Sequence, residues 1–123
     1  MSIPFKVVLQ EGYTVDTMDT LQEKIKQGML FGEFNPVRRP LKKLICIDPS
    51  AISHKVVSLD VQDRLITGEL IPYGPKADLL QKVIDSKEPI VVRNRGYSVS
   101  ELKKEIIFTF DIFTLAVFET YDS

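Results

Sequence analysis

The chain is poor in metal-binding and redox-active side chains, with one cysteine and one histidine among 123 residues. A single thiol, Cys46, excludes an internal disulfide framework. One cysteine with one histidine also supplies too few ligands for a structural zinc site. We therefore expect no metal and no cofactor. Cys46 lies in the apolar run 44–47, which predicts a buried strand thiol rather than a reactive one.

Neither sign of charge dominates, since 16 Lys and Arg residues are balanced by 17 Asp and Glu residues. No strong global field therefore attracts nucleic acid, an anionic membrane or an acidic substrate. No segment approaches the roughly 18 apolar residues that span a bilayer, and the N-terminus does not resemble a secretory signal. We expect a protein of reducing cytoplasm, or of a particle assembled there, that is not secreted, not in a membrane and not bound to nucleic acid.

The sequence does contain enough apolar residues, 44% of the chain, to bury one core, so residues 1–123 are expected to form a single domain. Apolar residues at helical spacing predict two helices, over 16–28 with Gly28 at the end and over 77–86. Residues 62–64 predict a hairpin turn. Composition rich in β-formers predicts strands over 5–9, 43–47, 52–61, 65–71 and from 90 onward, and either one buried strand or a strand pair over 105–118.

These elements favour an α+β fold, with a mostly antiparallel, barrel-like sheet and two short helices. Strand residues alternate between the two faces of a sheet, which predicts the orientation of the long strand 52–61. One face is expected to carry Lys55, Val57, Leu59 and Val61, and the other His54, Val56, Ser58 and Asp60.

Several segments, taken in order, resemble the phage prohead (capsid maturation) serine proteases of the T4 type, whose fold is shared with herpesvirus assemblin. Residues 30–36, LFGEFNP, resemble the family loop Gly-Glu-Leu-Asp-His-Pro. Residues 47–57 are similar to a family strand in which a Ser-His pair follows an Asn- or Asp-containing turn. Residues 68–85 match a strand, Pro/Gly turn and helix. Residues 90–96, IVVRNRG, resemble the Val-Ser-Ser-Arg-Gly strand of the nucleophile, and residues 107–112 resemble the closing strand.

The departures from the family pattern fall on the catalytic positions. Where the family has the general base His before Pro, this chain has Asn35 and Pro36. The serine slot falls at Arg93 or Asn94, although the following Arg95 and its glycine are retained. Asparagine cannot take a proton from a nucleophile, and a guanidinium is not a nucleophile. The resemblance therefore implies a catalytically inactive relative.

For such a relative we expect a non-catalytic phage structural or head-assembly protein. It would be located in the virion or host cytoplasm and would bind capsid, scaffold or other virion proteins, or copies of itself. Two alternatives remain open. One is a residual serine protease in which His54 works with a shifted serine, Ser98 or Ser100. The other is a small phage protein that inhibits a host factor, with the protease fold as a scaffold only.

Three further expectations concern individual polar residues. Adjacent strand residues point to opposite faces, so Ser53 and His54 are not expected to pair, and His54 is expected to be a hydrogen-bonded core or rim residue. Asp111, in an apolar strand, is expected to accept from a backbone group or from an arginine such as Arg95. Arg93 and Arg95 share one strand face if the pairing continues, and with Arg38 and Arg39 they form either a basic patch for phosphate or carboxylate or ordinary solvated surface.

Overall fold

The computed structural model describes residues 2–36 and 46–121, with the backbone alone for residues 120 and 121. A short 3-10 turn, Pro49–Ala51, precedes the longest strand of the first sheet. The strands and helices in chain order are β1 (Ile3–Val8), β2 (Thr14–Val15), α1 (Met18–Lys26), β3 (Phe31–Glu33), β4 (Ile52–Gln62), β5 (Leu65–Pro72), α2 (Ala77–Asp85), β6 (Ile90–Val99), β7 (Lys104–Thr114) and α3 (Leu115–Tyr121).

The strands form two sheets, which confirms the α+β class. The first is an antiparallel sheet in the order β1-β5-β4-β3, and the second has the order β2-β7-β6 with β2 parallel to β7. An isolated parallel bridge from Phe34 to Ile112 joins the end of β3 to β7. The expected barrel is wrong: in the described residues the sheets do not close, because the outer edges of β1 and β6 share no backbone ladder.

The core lies between the sheets, and α1 and α2 cover it. Its most deeply buried side chains are Leu70, Leu80, Phe110 and Ile112, which come from both sheets and from α2. No helix among the described residues is both long enough and apolar enough to cross a bilayer.

Both predicted helices are confirmed, with bounds a few residues shorter than expected. Gly28 has a φ of 68° just after α1, and the N–H of the following Met29 donates to the Lys24 carbonyl 2.9 Å away, as in a Schellman motif. The same motif ends α2, but there Lys87 occupies the left-handed position with a φ of 59°. The sequence therefore identified the glycine that ends α1, and it also placed the end of α2 to within a residue, although no glycine marks it.

The predicted strand 105–118 is partly wrong, because β7 ends at Thr114 and the chain continues as α3. The backbone N–H of Thr114 donates to the Asn35 side chain, and that of Leu115 donates to the Pro89 carbonyl. The first bond lies on the β3 side of β7, and the second joins Leu115 to the residue just before β6. Leu115 and Val117 are exposed, so their apolar character does not mark a buried strand.

The hairpin turn between β4 and β5 is confirmed, with Asp63 at a φ of 55°. The predicted faces of β4 hold only up to Val56. The register shifts between Val56 and Ser58, so Val57 is an extra residue and both Val57 and Ser58 are exposed. Beyond the bulge the buried face therefore passes to Leu59, which is why the single alternating pattern fails.

The predicted strand 43–47 lies largely outside the described residues. At its described end, Cys46 is exposed and Ile47 is not in a strand, so the expectation of a buried strand thiol is wrong. The Cys46 carbonyl accepts a hydrogen bond from Arg95, and Asp48 accepts from the Ser50 N–H at the start of the 3-10 turn. Residues 46–48 therefore belong to no strand, and Cys46 contacts Arg95 through its backbone carbonyl.

Candidate functional site

A cluster of buried polar side chains lies where β3, β4, β6 and β7 meet. Its members are Glu33, Ser53, His54, Arg95 and Asp111, each less than a tenth exposed. Burying such groups costs free energy unless each is hydrogen-bonded or paired. In the described residues no buried side-chain nitrogen or oxygen atom lacks a hydrogen-bond partner.

Arg95 is the centre of this cluster. Its Nε donates to Asp111 Oδ2 at 2.9 Å and its Nη2 to Asp111 Oδ1 at 2.8 Å, a bidentate pair. The same Nη2 lies 3.1 Å from Glu33 Oε2, and Nη1 donates to the Cys46 carbonyl at 3.0 Å. The backbone N–H of Glu33 also donates to Asp111 Oδ1. The expectation that Asp111 accepts from a backbone group or from Arg95 is confirmed, since it accepts from both.

The cluster places two carboxylates on one guanidinium. Burial raises the pKa of Asp111 above its usual range, and the charge and hydrogen bonds of Arg95 oppose that rise. The nearby charge of Glu33 adds to the rise. Glu33 was not identified from the sequence, although a lone acid within the otherwise apolar stretch 30–34 was a usable signal.

His54 and Ser53 form the second part of the cluster. The Ser53 Oγ lies 2.7 Å from His54 Nδ1, and His54 Nε2 lies 2.8 Å from the Phe110 carbonyl oxygen. Because a carbonyl only accepts, Nε2 carries the proton and Nδ1 accepts from the serine hydroxyl. His54 is therefore a hydrogen-bonded core histidine, as expected. Burial lowers its pKa to about 4; the hydrogen bond to the Phe110 carbonyl opposes this lowering, and the charge of Arg95 adds a smaller one.

The expectation that Ser53 and His54 cannot pair is wrong, and a bulge explains why. Between β3 and β4 the pairing passes from Glu33↔Ile52 directly to Gly32↔His54, so Ser53 is an extra residue on β4. Both side chains are 0% exposed. In this structure the serine hydroxyl next to the imidazole is therefore not open to a substrate.

Gly32 allows this arrangement. A Cβ at this position would overlap both His54 Nε2 and the Phe110 carbonyl oxygen, the two atoms that bond to each other. Glycine is thus required for the close approach of β3 to the imidazole and to β7. Beside it, the Thr109 hydroxyl donates to the Phe31 carbonyl, a second link between β7 and β3.

The residues at the substituted catalytic positions make structural bonds. Asn35, at a φ of 48°, accepts at Oδ1 from the Thr114 N–H and donates its own N–H to the Ile112 carbonyl. Asn94 donates to Glu105 Oε1 at 3.2 Å, and the Arg93 guanidinium lies 5.8 Å from the Phe118 ring centre. Pro36 is buried.

These positions lie on opposite sides of one strand. Asn35 bonds to the edge of β7 that faces β3, whereas Arg93 and Asn94 belong to β6, which pairs with the other edge. The structure therefore places β7 between the two substituted positions.

The fallback serines are also distant from His54. Ser98 pairs with Glu105 in the ladder and donates to its carboxylate at 2.6 Å, while His54 contacts Phe110, five residues further along β7. At ~3.3 Å per residue this is a separation of ~16 Å along the strand. Ser100 lies in the turn beyond β6, where its carbonyl accepts from Lys103. The structure brings neither serine to the imidazole.

The structure describes two members of the proposed basic patch, Arg93 and Arg95. Arg38 and Arg39 lie outside the described residues, and Arg95 is committed to its buried ion pairs. Arg93 is half-buried. The described part of the chain also contains no group of three or more His, Cys, Asp or Glu side chains that could hold a metal ion.

Comparison with known proteins found no matching family model, no matching curated protein and no matching solved structure. The resemblance to prohead proteases therefore stays a prediction from the sequence.

Proposed function

We propose that the protein is a non-catalytic assembly protein of a phage particle, with a degenerate prohead-protease fold, that binds capsid, scaffold or other virion proteins. The observation that carries this proposal is that Asn35 and Asn94, at the substituted catalytic positions, make structural hydrogen bonds between strands. Asn35 ties the end of β3 to β7, and Asn94 ties β6 to Glu105 on β7. Both amides link strands, and neither has the proton chemistry of a base or a nucleophile.

The buried cluster supports the same proposal. The lone imidazole has both ring nitrogens hydrogen-bonded inside the core, and its lowered pKa keeps it neutral near pH 7. Arg95 joins Glu33 of the first sheet to Asp111 of the second. A fully satisfied polar network of this kind fixes how two sheets meet, which is what a rigid binding scaffold needs.

The lack of catalysis is tested by incubating the purified protein with casein and with peptides from a phage scaffold protein. We expect no cleavage by the wild type, and none by His54→Ala, Ser98→Ala or Ser100→Ala. Cleavage by the wild type that disappears in any of the three variants would refute the proposal. An active prohead protease, run in parallel on the same peptides, is the positive control.

The assignment to a particle is tested by mass spectrometry of purified particles of the phage that encodes the chain. The proposal predicts the protein in the particles at a constant ratio to the capsid protein. Its presence in infected cells but absence from both proheads and mature particles would instead favour a protein that acts on a host factor.

A further inference from the structure

The edge of β6 that faces away from β7 carries unused backbone hydrogen-bonding groups. On β7, the backbone groups of Glu105, Ile107, Phe110, Ile112 and Thr114 all bond to partners on the side opposite β6. In an antiparallel ladder, residues opposite such positions direct their own N–H and C=O groups away from the pair. The β6 residues opposite them are Ser98, Gly96, Asn94, Val92 and Ile90.

The facing edge of β1 has the same property. The Leu9 N–H donates to the Arg64 carbonyl at 2.7 Å, so Leu9 is directed toward β5. The alternation along the strand then directs Val8 and Lys6 away from β5, together with Pro4, which has no N–H to satisfy. In the described residues neither edge is paired to another strand.

The two edges line a polar cleft of about 410 Å³. One wall contains Asn94, Gly96 and Ser98, three of the outward-directed β6 residues, and the other contains Val8. Glu105 also lines the cleft, and its carboxylate already accepts from the side chains of Asn94 and Ser98. The side chains of Asn94 and Ser98 are therefore already bonded to Glu105, and their outward-directed backbone groups are what these two residues offer to a partner.

We propose that this cleft, named here the β1–β6 cleft, binds a short extended peptide segment of a partner protein by main-chain pairing with β6. The N–H and C=O groups of Asn94, Gly96 and Ser98 repeat at every second residue, a spacing that another extended backbone matches. From Asn94 to Ser98 the edge spans ~13 Å at ~3.3 Å per residue, which fits a segment of about four residues.

The surroundings define the side chains of that segment. Val8 is 66% exposed, Tyr97 42% and Leu65 38%, and all three lie at the cleft or next to it. Exposed apolar side chains beside the cleft favour apolar residues on one face of the partner segment, which are its alternate positions. The cleft itself is lined by one carboxylate and one guanidinium, of Glu105 and Arg93, which suits a segment without net charge.

The β6 edge also lacks two of the features that protect natural edges from pairing, proline and lysine. The β1 edge carries Pro4 and Lys6, whereas β6 has neither proline nor lysine between Ile90 and Val99. This inference deepens the proposed function, because it names the surface and the kind of partner. It does not depend on whether the protein occurs in particles.

The test uses the whole purified protein and a random heptapeptide library displayed on phage. Peptides that are selected are synthesised with blocked ends, and their binding is measured by calorimetry and by shifts of backbone amide signals in NMR spectra. We expect apolar residues at alternate positions and the largest shifts at the amides of Asn94, Gly96 and Ser98. No selected binder, or shifts confined to another surface, would overturn the proposal.

A pair of variants isolates the main-chain contact. Asn94→Pro removes the outward N–H without removing a bond to β7, whereas Asn94→Ala removes only the side chain. We expect binding to the proline variant to be about tenfold weaker than to the alanine variant. Equal affinities would overturn the proposal. N-methylated peptides give the same test without changing the protein. One peptide is methylated at the odd positions and another at the even positions, and only the one whose methylated N–H groups face β6 is expected to lose binding.

The result of the peptide-binding test can be distinguished from the result of the test for the protein in particles. A failed selection with the protein present in particles would remove the cleft as a binding site and leave the assembly role in place. Peptide binding by a protein absent from particles would give the opposite result.

Discussion

The stability of the protein is expected to fall as the pH is lowered from 6.5 to 4, because of His54. Burial lowers the pKa of this histidine to about 4, from 6.5 in an unfolded chain. Between these values the unfolded chain binds a proton that the folded protein does not, so lowering the pH favours unfolding. The contribution of His54 to the free energy of unfolding is fully present above pH 6.5. It decreases as the pH falls, and it changes no further below pH 4.

The magnitude follows from the pKa difference, from 6.5 to about 4. At about 1.4 kcal/mol per pKa unit, the loss is about 3 kcal/mol. A domain of this size has a total stability of roughly 5–15 kcal/mol, so the loss is a substantial part of it. The main cause of the lowered pKa is burial of the imidazole, which disfavours its charged form; the hydrogen bond to Phe110 opposes this lowering, and the nearby positive charge of Arg95 adds to it.

The assay is urea unfolding at pH values from 7.5 to 3.5, with His54→Gln as the matched control. A glutamine amide keeps one donor for the Phe110 carbonyl and one acceptor for Ser53, but it does not titrate. Asp111 acts in the opposite direction, since its raised pKa adds stability as the pH falls through it. This contribution is present in both proteins and cancels in the difference. Parallel pH profiles of the two proteins, or an NMR titration of His54 near pH 6.5, would refute the reasoning.

Three substitutions test other parts of the structure by urea unfolding. Gly32→Ala is expected to cost about 3 kcal/mol or more, because the new methyl group overlaps a backbone carbonyl and a fixed ring; a loss below 1 kcal/mol would contradict this. Arg95→Met is expected to lower the free energy of unfolding by about 3–5 kcal/mol, because it leaves the buried carboxylates of Glu33 and Asp111 unpaired. Asp111→Asn should cost less, because the ion pair between Arg95 and Glu33 remains. The reverse order would contradict the assignment of Arg95 as the centre. Lys87→Gly is expected to stabilise by about 1 kcal/mol at its φ of 59°, with Ser86→Gly as the control that should not.

The buried cluster was only partly predictable. A lone acid in an apolar strand has to be paired, and Arg95, in the strand-like segment 90–96, was a reasonable partner, so Asp111 and Arg95 were identified. Glu33 joins them only because β3 meets β7 through the Phe34 bridge, a contact between segments that are 78 residues apart in sequence. No local pattern indicates that meeting.

The sequence by itself determined the α+β class, both longer helices, the glycine end of α1 and the turn at Asp63, because local backbone preferences and side-chain periodicity control them. Only the tertiary structure decided where strands bulge and when the chain leaves a sheet. One extra residue at Ser53 placed a hydroxyl against the imidazole, and another at Val57 exchanged the faces of β4. Register depends on the partner strand, and a strand's own residues do not contain that information.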